Sequence, residues 1–306
     1  MKIVITGATG FIGTPLSGLL ICAGHHLTIL TRALRRTASR SAHVQHVEWN
    51  PADEAGVVAR VDGCDAVINL AGENIAARRW TKKQKEKILT SRVSATQCLV
   101  RSIQKAGVKP RVLISTSAMG YYGPRGDESL DETAPCGKGF LASTCKAWEA
   151  HAVRAEDFGV RVVRLRIGVV LGKGGGALEK MTPPFKCFLG GWLGSGEQWM
   201  SWIHLEDVVR LIYACLTNGN LKGPVNVTAP EPVTNKVFSI ALAEALNRPC
   251  LMPVPSFALK VLFGEMADEL LLKGQRVIPR KALDMGFEFR FPEIHGALES
   301  IFGVQQ

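Results

Sequence analysis

No run in this 306-residue chain approaches the roughly 20 apolar residues that cross a bilayer, and no signal or transit leader precedes the strand-like opening Lys2–Thr6. No two of the eight cysteines have C-x-x-C spacing, and no Cys/His cluster has zinc spacing. Most of them lie inside apolar runs. The reading is therefore buried reduced thiols, no metal, and a cytoplasmic compartment. Internal repeats and low-complexity linkers are missing as well. A content of 46% hydrophobic and 21% charged residues excludes a disordered tail or a collagen-like repeat. No basic stripe interleaved with aromatics appears, so the net charge of +10 points to anionic ligands rather than to nucleic acid. No membrane partner is expected, and the oligomeric state is not legible.

What is there is an alternation. Lys2–Thr6, Leu27–Thr31, Ala66–Leu70, Val112–Ser115 and Val160–Leu165 are short runs rich in Val and Ile. Between them, Phe11–Ala23, Thr81–Ala106 and Gly139–Phe158 have helical length and pattern. Such alternation predicts a doubly wound α/β fold with a parallel sheet covered on both faces. The second half is less regular, with Trp202–Leu216 reading as a helix and Val225–Thr228 as a short strand. The expected division is a core over 1–168, rejoined by 201–230. A smaller, mainly helical lobe is expected from 169–200 and 231–306.

Gly7, Gly10 and Gly13 follow the first strand and open a helix. In that context the triplet predicts a Rossmann-type dinucleotide site, because each glycine has its own task. The first permits a tight turn, the second lets backbone approach a pyrophosphate, and the third lets the helix sit close to the sheet. The phosphates then meet free N–H groups at the helix start, around Phe11 and Ile12. The second strand ends Thr31-Arg32, with Arg35, Arg36 and Arg40 beyond, and no carboxylate occurs between Gly13 and Glu48. A guanidinium there suits a 2′-phosphate, so NADP(H) is expected over NAD.

These stretches resemble the extended short-chain dehydrogenase/reductases, and among them the atypical epimerase-family proteins once labelled nucleoside-diphosphate-sugar epimerases or cell-division inhibitors. The likeness is carried by ITGATGFIG at 5–13, VINLAGENIAARRW at 67–80, SRVSATQCLV at 91–100 and STSAMGYYG at 115–123. It continues through RIGVVLGKGGGAL at 166–178, GSGEQWMSWIHLEDV at 194–208, NVTAPEPVTN at 226–235 and GQRVIPRKALDMGFEFRFP at 274–292. The resemblance implies that Asn69, Leu70 and Ala71 line the adenosine and ribose, that Arg92 faces the cofactor, and that Arg166 and Gly168 flank the nicotinamide half.

Active members of that superfamily carry Tyr-x-x-x-Lys on one helix, since only i and i+4 share a face. With Glu149 as the trailing acid, Leu141 and Cys145 hold those positions here; a shift by one gives Ala142 and Lys146. Neither register supplies a tyrosine. Ser117, at the end of the fifth strand, remains to polarise a carbonyl, and Tyr122 to donate a proton if it turns inward rather than packing at its Tyr-Gly turn. Glu73 either faces the cleft or caps the next turn. His204 reads mainly as a link between lobes, and Cys145 as core. The expected function is an NADP(H)-dependent oxidoreductase acting on a small carbonyl or nucleotide-sugar-like substrate. The alternative is a non-catalytic NADP(H)-binding sensor or regulator of a partner such as the cell-division machinery.

Overall fold

Alternating Val and Ile runs flanked by helices give a sheet with both faces covered, and the computed structural model, which describes residues 1–32, 42–51 and 53–303, has that form. The strands in chain order are β1 (Lys2–Thr6), β2 (His26–Thr31), β3 (Val44–Glu48), β4 (Ala66–Asn69), β5 (Val112–Ala118), β6 (Ser129–Leu130) and β7 (Arg161–Ile167). Then come β8 (Val169–Leu171), β9 (Trp199–Met200), β10 (Trp202–His204), β11 (Gly223–Val227), β12 (Val233–Thr234) and β13 (Arg276–Val277). Seven of them form one parallel sheet in the order β11-β7-β5-β4-β1-β2-β3. The winding reverses at β1, between β2 and β4, and open α/β sheets bind ligands outside the strand ends at such a reversal.

The helices are α1 (Gly13–Cys22), α2 (Glu54–Val61), α3 (Lys82–Lys105), α4 (Phe140–Val153), α5 (Leu178–Lys186), α6 (Leu205–Thr217), α7 (Asn235–Ala245), α8 (Ser256–Phe263), α9 (Arg280–Asp284) and α10 (Ile294–Phe302). Strand side chains alternate between faces. Ile3 and Ile5 of β1 accordingly join Leu16 and Leu20 of α1 and Val208 and Ile212 of α6. Val4 joins Val57 and Val61 of α2 and Leu99 and Ile103 of α3 on the other face. A third cluster, around Trp202, Phe238, Leu242, Leu298 and Ile301, holds α7 and α10 together beside the sheet.

Three expectations need correction. Trp202–His204 is a strand paired with β8, and the helix begins only at Leu205, where the His204 ring accepts the Glu206 amide at 3.2 Å. β5 runs on to Ala118 rather than stopping at Ser115, and Ser117, its last residue but one, stands near the strand end as expected and pairs with Arg166 of β7. The strand β3 and the helix α2 were not read as elements. β3 is an edge strand, half-buried at most positions, and its VQHVE carries little alternation.

Candidate dinucleotide site and the polar network beside it

The corner after β1 is built from backbone. Gly7 has φ +71°, and a Cβ there would lie 2.7 Å from the Leu70 carbonyl carbon and oxygen. At Gly13 an added Cβ would lie 2.2 Å from the Gly7 carbonyl oxygen and 2.6 Å from the Ala8 Cα. At Gly10 the nearest atom is the Gly7 oxygen at 3.2 Å, so that position opens outward. No side chain caps the start of α1 and its first turn holds no acid, which leaves the positive end of the helix to a ligand. The Phe11 ring reaches across to the second lobe: Cβ atoms on Gly175 and Gly176 would both lie 2.6 Å from it. The glycine-rich loop at 172–176 is thus shaped around Phe11.

Asn69 is fully buried at the end of β4. It accepts from Thr6 Oγ1 at 2.7 Å and from the Ala71 amide at 3.3 Å, and donates to Thr96 Oγ1 at 2.9 Å. It fixes the loop that carries Leu70 and Ala71, both half-buried beside the corner. Arg92 lies beneath Gly72, whose added Cβ would sit 3.2 Å from the guanidinium carbon. Its Nη1 donates to the Ile88 carbonyl, and its plane lies 5.2 Å from the Trp148 ring centre. Burial lowers its pKa, and among the described residues no carboxylate pairs with it. At the end of β2, the exposed Arg32 borders an open cavity of about 580 Å³ with Glu48, Trp49, Asn50, Pro51 and Asp53. Thr31 is paired with Glu48 across the β2–β3 ladder, so a carboxylate distant in sequence does reach this rim. Arg35, Arg36 and Arg40 lie outside the described residues.

The two residues expected to carry the chemistry are committed elsewhere. Ser117, 4% exposed, donates to Glu149 Oε1 at 2.8 Å. The same carboxylate receives Arg166 Nε at 2.9 Å, Arg166 Nη2 at 3.0 Å and Arg164 Nη1 at 3.1 Å. Tyr122 is 0% exposed; it accepts from Arg166 Nη1 at 3.0 Å and donates to Asn226 Oδ1 at 2.6 Å. The Asn226 amide then donates to Glu132 at 3.0 Å. Arg166, 3% exposed, also lies over the Tyr121 ring at 3.5 Å. Tyr122 thus packs inward at its Tyr-Gly turn, the second of the two readings given for it, and Arg166 is engaged by Glu149 and Tyr122. They lock β5, β7 and β11 together. Of the carboxylates at the centre of this network, Glu149 entered the sequence reading only as the trailing acid of the α4 register and Glu132 not at all; the signal for both was Arg164 and Arg166 inside an apolar run, where buried cations demand partners.

The remaining expectations fall out simply. Glu73 pairs with Lys87 at 3.0 Å, which neither earlier reading anticipated. His204 touches Ser300 of α10 at 3.4 Å and the Phe291 ring, with its pKa lowered by burial. Cys145 is buried in α4, and its thiol is pushed up to about 11 by burial and by Glu149.

Burial raises the Tyr122 phenol to about 12, against the opposing pull of Arg166. The native state holds the neutral phenol, whereas the unfolded chain ionises near its ordinary value of about 10. Stability from this source is complete below pH 10 and is lost as pH rises through 12. Denaturant titrations across that window should show a fall that Tyr122→Phe flattens; identical slopes in the two proteins would refute the assignment.

The reversal of winding at β1, the glycine corner and the uncapped helix define a dinucleotide-binding fold of the short-chain dehydrogenase/reductase kind. Residues 3–228 match the NAD-dependent epimerase/dehydratase family, and residues 254–301 match a domain of unknown function, DUF1731. The chain belongs to this family, within the extended short-chain dehydrogenase/reductases. It is 44% identical to the chloroplastic epimerase family protein SDR39U1 homolog of Arabidopsis thaliana, covering 98% of this chain and 86% of that one. It is 41% identical to the epimerase family protein YfhF of Bacillus subtilis, covering 98% of each. Among solved structures, human epimerase family protein SDR39U1 with NADPH superimposes with a TM-score of 0.87 at 35% identity, over 98% of this chain and 99% of that one. No helix among the described residues is long and apolar enough to cross a membrane.

Proposed function

We propose that this chain is an NADP(H)-dependent oxidoreductase acting on a small carbonyl or nucleotide-sugar-like substrate. The observation that carries the reading is the corner at Gly7–Gly13, where only hydrogen fits and the helix start is left uncapped. The NADPH in the human relative supports it. The backbone of Gly10, Phe11, Ile12 and Gly13 would hold the pyrophosphate, Thr31 and Arg32 the 2′-phosphate, and Leu70, Ala71 and Arg92 the ribose side. When bound, NADPH supplies a hydride to an electrophilic carbon. The chain itself orients that carbon, while the proton for the oxygen comes from solvent. α4 offers Leu141 and Cys145, or, one residue on, Ala142 and Lys146, where a Tyr/Lys pair would stand, and the hydroxyls of Ser117 and Tyr122 donate into the network. Turnover on this reading is slow and survives Ser117→Ala.

Arg32→Ala tests the cofactor choice. It should weaken NADPH about 10- to 100-fold by calorimetry, the loss of one charge-assisted contact, and leave NADH unchanged. An equal effect on both would remove the 2′-phosphate assignment. The inward-facing hydroxyls also favour a second reading, an NADP(H)-binding regulator without turnover. Single-turnover oxidation of NADPH over a panel of carbonyl compounds separates the two: a rate above buffer establishes the oxidoreductase, and tight binding without oxidation establishes the regulator.

A further inference from the structure

Seven large apolar side chains stand in solvent on one side of the second lobe. Phe188 and Leu189, after α5, are 60% and 76% exposed; Leu251 and Met252 are 71% and 72% exposed. On α8, Phe257, Val261 and Leu262 are exposed to 72%, 70% and 64%. The three groups are neighbours. The Leu251 amide donates to the Gly190 carbonyl, Val254 to Trp192, and Gly194 to Val254, so the segment after Phe188 runs beside the segment that leads into α8. Soluble proteins rarely leave so many large apolar groups contiguous without a use. Phe188 adds a second observation: its φ of +63° is a conformation that a bulky residue adopts only against strain.

Charge narrows the occupant. Residues 180–196 and 245–264 contain Lys180, Lys186, Arg248 and Lys260, and not one Asp or Glu. Lys180 is tied to the Ala76 carbonyl, and Lys260 pairs with Asp268 at 3.1 Å. Glu179, Glu197, Glu244 and Glu265 flank the two segments, and of these Glu265 is engaged by Lys85 at 2.9 Å and Glu244 by His295 at 3.3 Å. Lys186 and Arg248 keep their charge without a carboxylate among the described residues, and Arg248 lies over the Phe188 ring at 4.7 Å. A second copy in a two-fold contact would set these cations against themselves. An apolar surface rimmed by unpaired cations complements one that is apolar inside and anionic outside.

We propose that this face, formed by α8 and the turns at 188–189 and 251–252, docks peripherally on an anionic lipid bilayer. Three short separate segments offer no continuous stripe for a groove in a protein, whereas lipid accepts scattered apolar knobs without shape matching. The apolar side chains enter the acyl boundary, Lys186 and Arg248 remain among the headgroups, and the +10 charge of the chain adds attraction at a distance. No spanning segment is needed. The expectation of no membrane partner rested only on the lack of one.

Flotation of the purified full chain with two kinds of vesicle tests this. The protein should rise with phosphatidylcholine vesicles containing phosphatidylglycerol, remain below with phosphatidylcholine alone, and be released by raised salt. The Phe257→Ser/Val261→Ser double variant, and separately Lys186→Gln/Arg248→Gln, should each cut the bound fraction about tenfold, since both apolar insertion and charge are required. Phe257, Val261 and Lys186 are exposed and Arg248 is half-buried, and an unchanged thermal melt verifies folding of each variant. Absence from both vesicle types, or equal binding by wild type and variants, overturns the proposal. So does a concentration-dependent dimer in sedimentation that Phe257→Ser/Val261→Ser abolishes, because that result assigns the face to a second copy.

Discussion

Gly13→Ala is expected to destroy the dinucleotide site. Its Cβ would lie 2.2 Å from the Gly7 carbonyl oxygen and 2.7 Å from the Ala8 carbonyl carbon, both backbone atoms that no rotamer change can move. The corner has to open, which separates α1 from β1 at Leu16 and Ile5, where both are fully buried. Overpacking of this kind costs about 3 kcal/mol of stability. Binding of NADPH should fall about 100-fold, because a displaced helix start withdraws several amides from the pyrophosphate at once. Gly18→Ala, on the exposed side of the same helix and with nothing within 4 Å of its added Cβ, supplies the control. It should raise stability by about 0.5–1 kcal/mol and leave binding alone. Urea unfolding and calorimetry on the two variants decide the matter. A Gly13→Ala protein that binds like wild type would mean the ligand sits elsewhere.

That corner was legible because its requirements are local. A strand, three glycines at fixed offsets and a helix start can be read from thirteen consecutive residues, and the geometry of each glycine follows from its place. The parallel sheet was legible for a related reason, since strands buried on both faces have to be written as Val and Ile runs. The partners of Ser117 and Tyr122 were not legible, because nothing local says which way a polar side chain turns. Tyr122 finds its acceptor in Asn226, 104 residues later, and Ser117 finds Glu149, 32 residues later. The carboxylate opposite Thr31 was hidden in the same way, since Glu48 arrives by strand pairing and not by sequence. Arg166, buried on β7, holds Tyr122 directly and Ser117 through Glu149.

Glu149→Gln should be strongly destabilising, and the reason is burial rather than distance. Four polar hydrogens converge on its two oxygens, three of them from guanidinium groups, and Arg166 lies with it away from water. Burial alone disfavours the Arg166 charge, and the Glu149 carboxylate more than offsets this, holding the guanidinium above its ordinary range. Glutamine keeps the volume but removes the counter-charge and points an NH₂ at donors. Breaking such a buried pair from one side costs about 3–5 kcal/mol. The Arg290–Glu206 pair has the same 2.9 Å separation, but its side chains are 62% and 51% exposed. Glu206→Gln should therefore cost under about 1 kcal/mol. Matched denaturant titrations of the two variants provide the measurement. If their losses are alike, the Glu149 network is not the lock that holds β5, β7 and β11 in register, and the inward commitment of Ser117 and Tyr122 loses its cause.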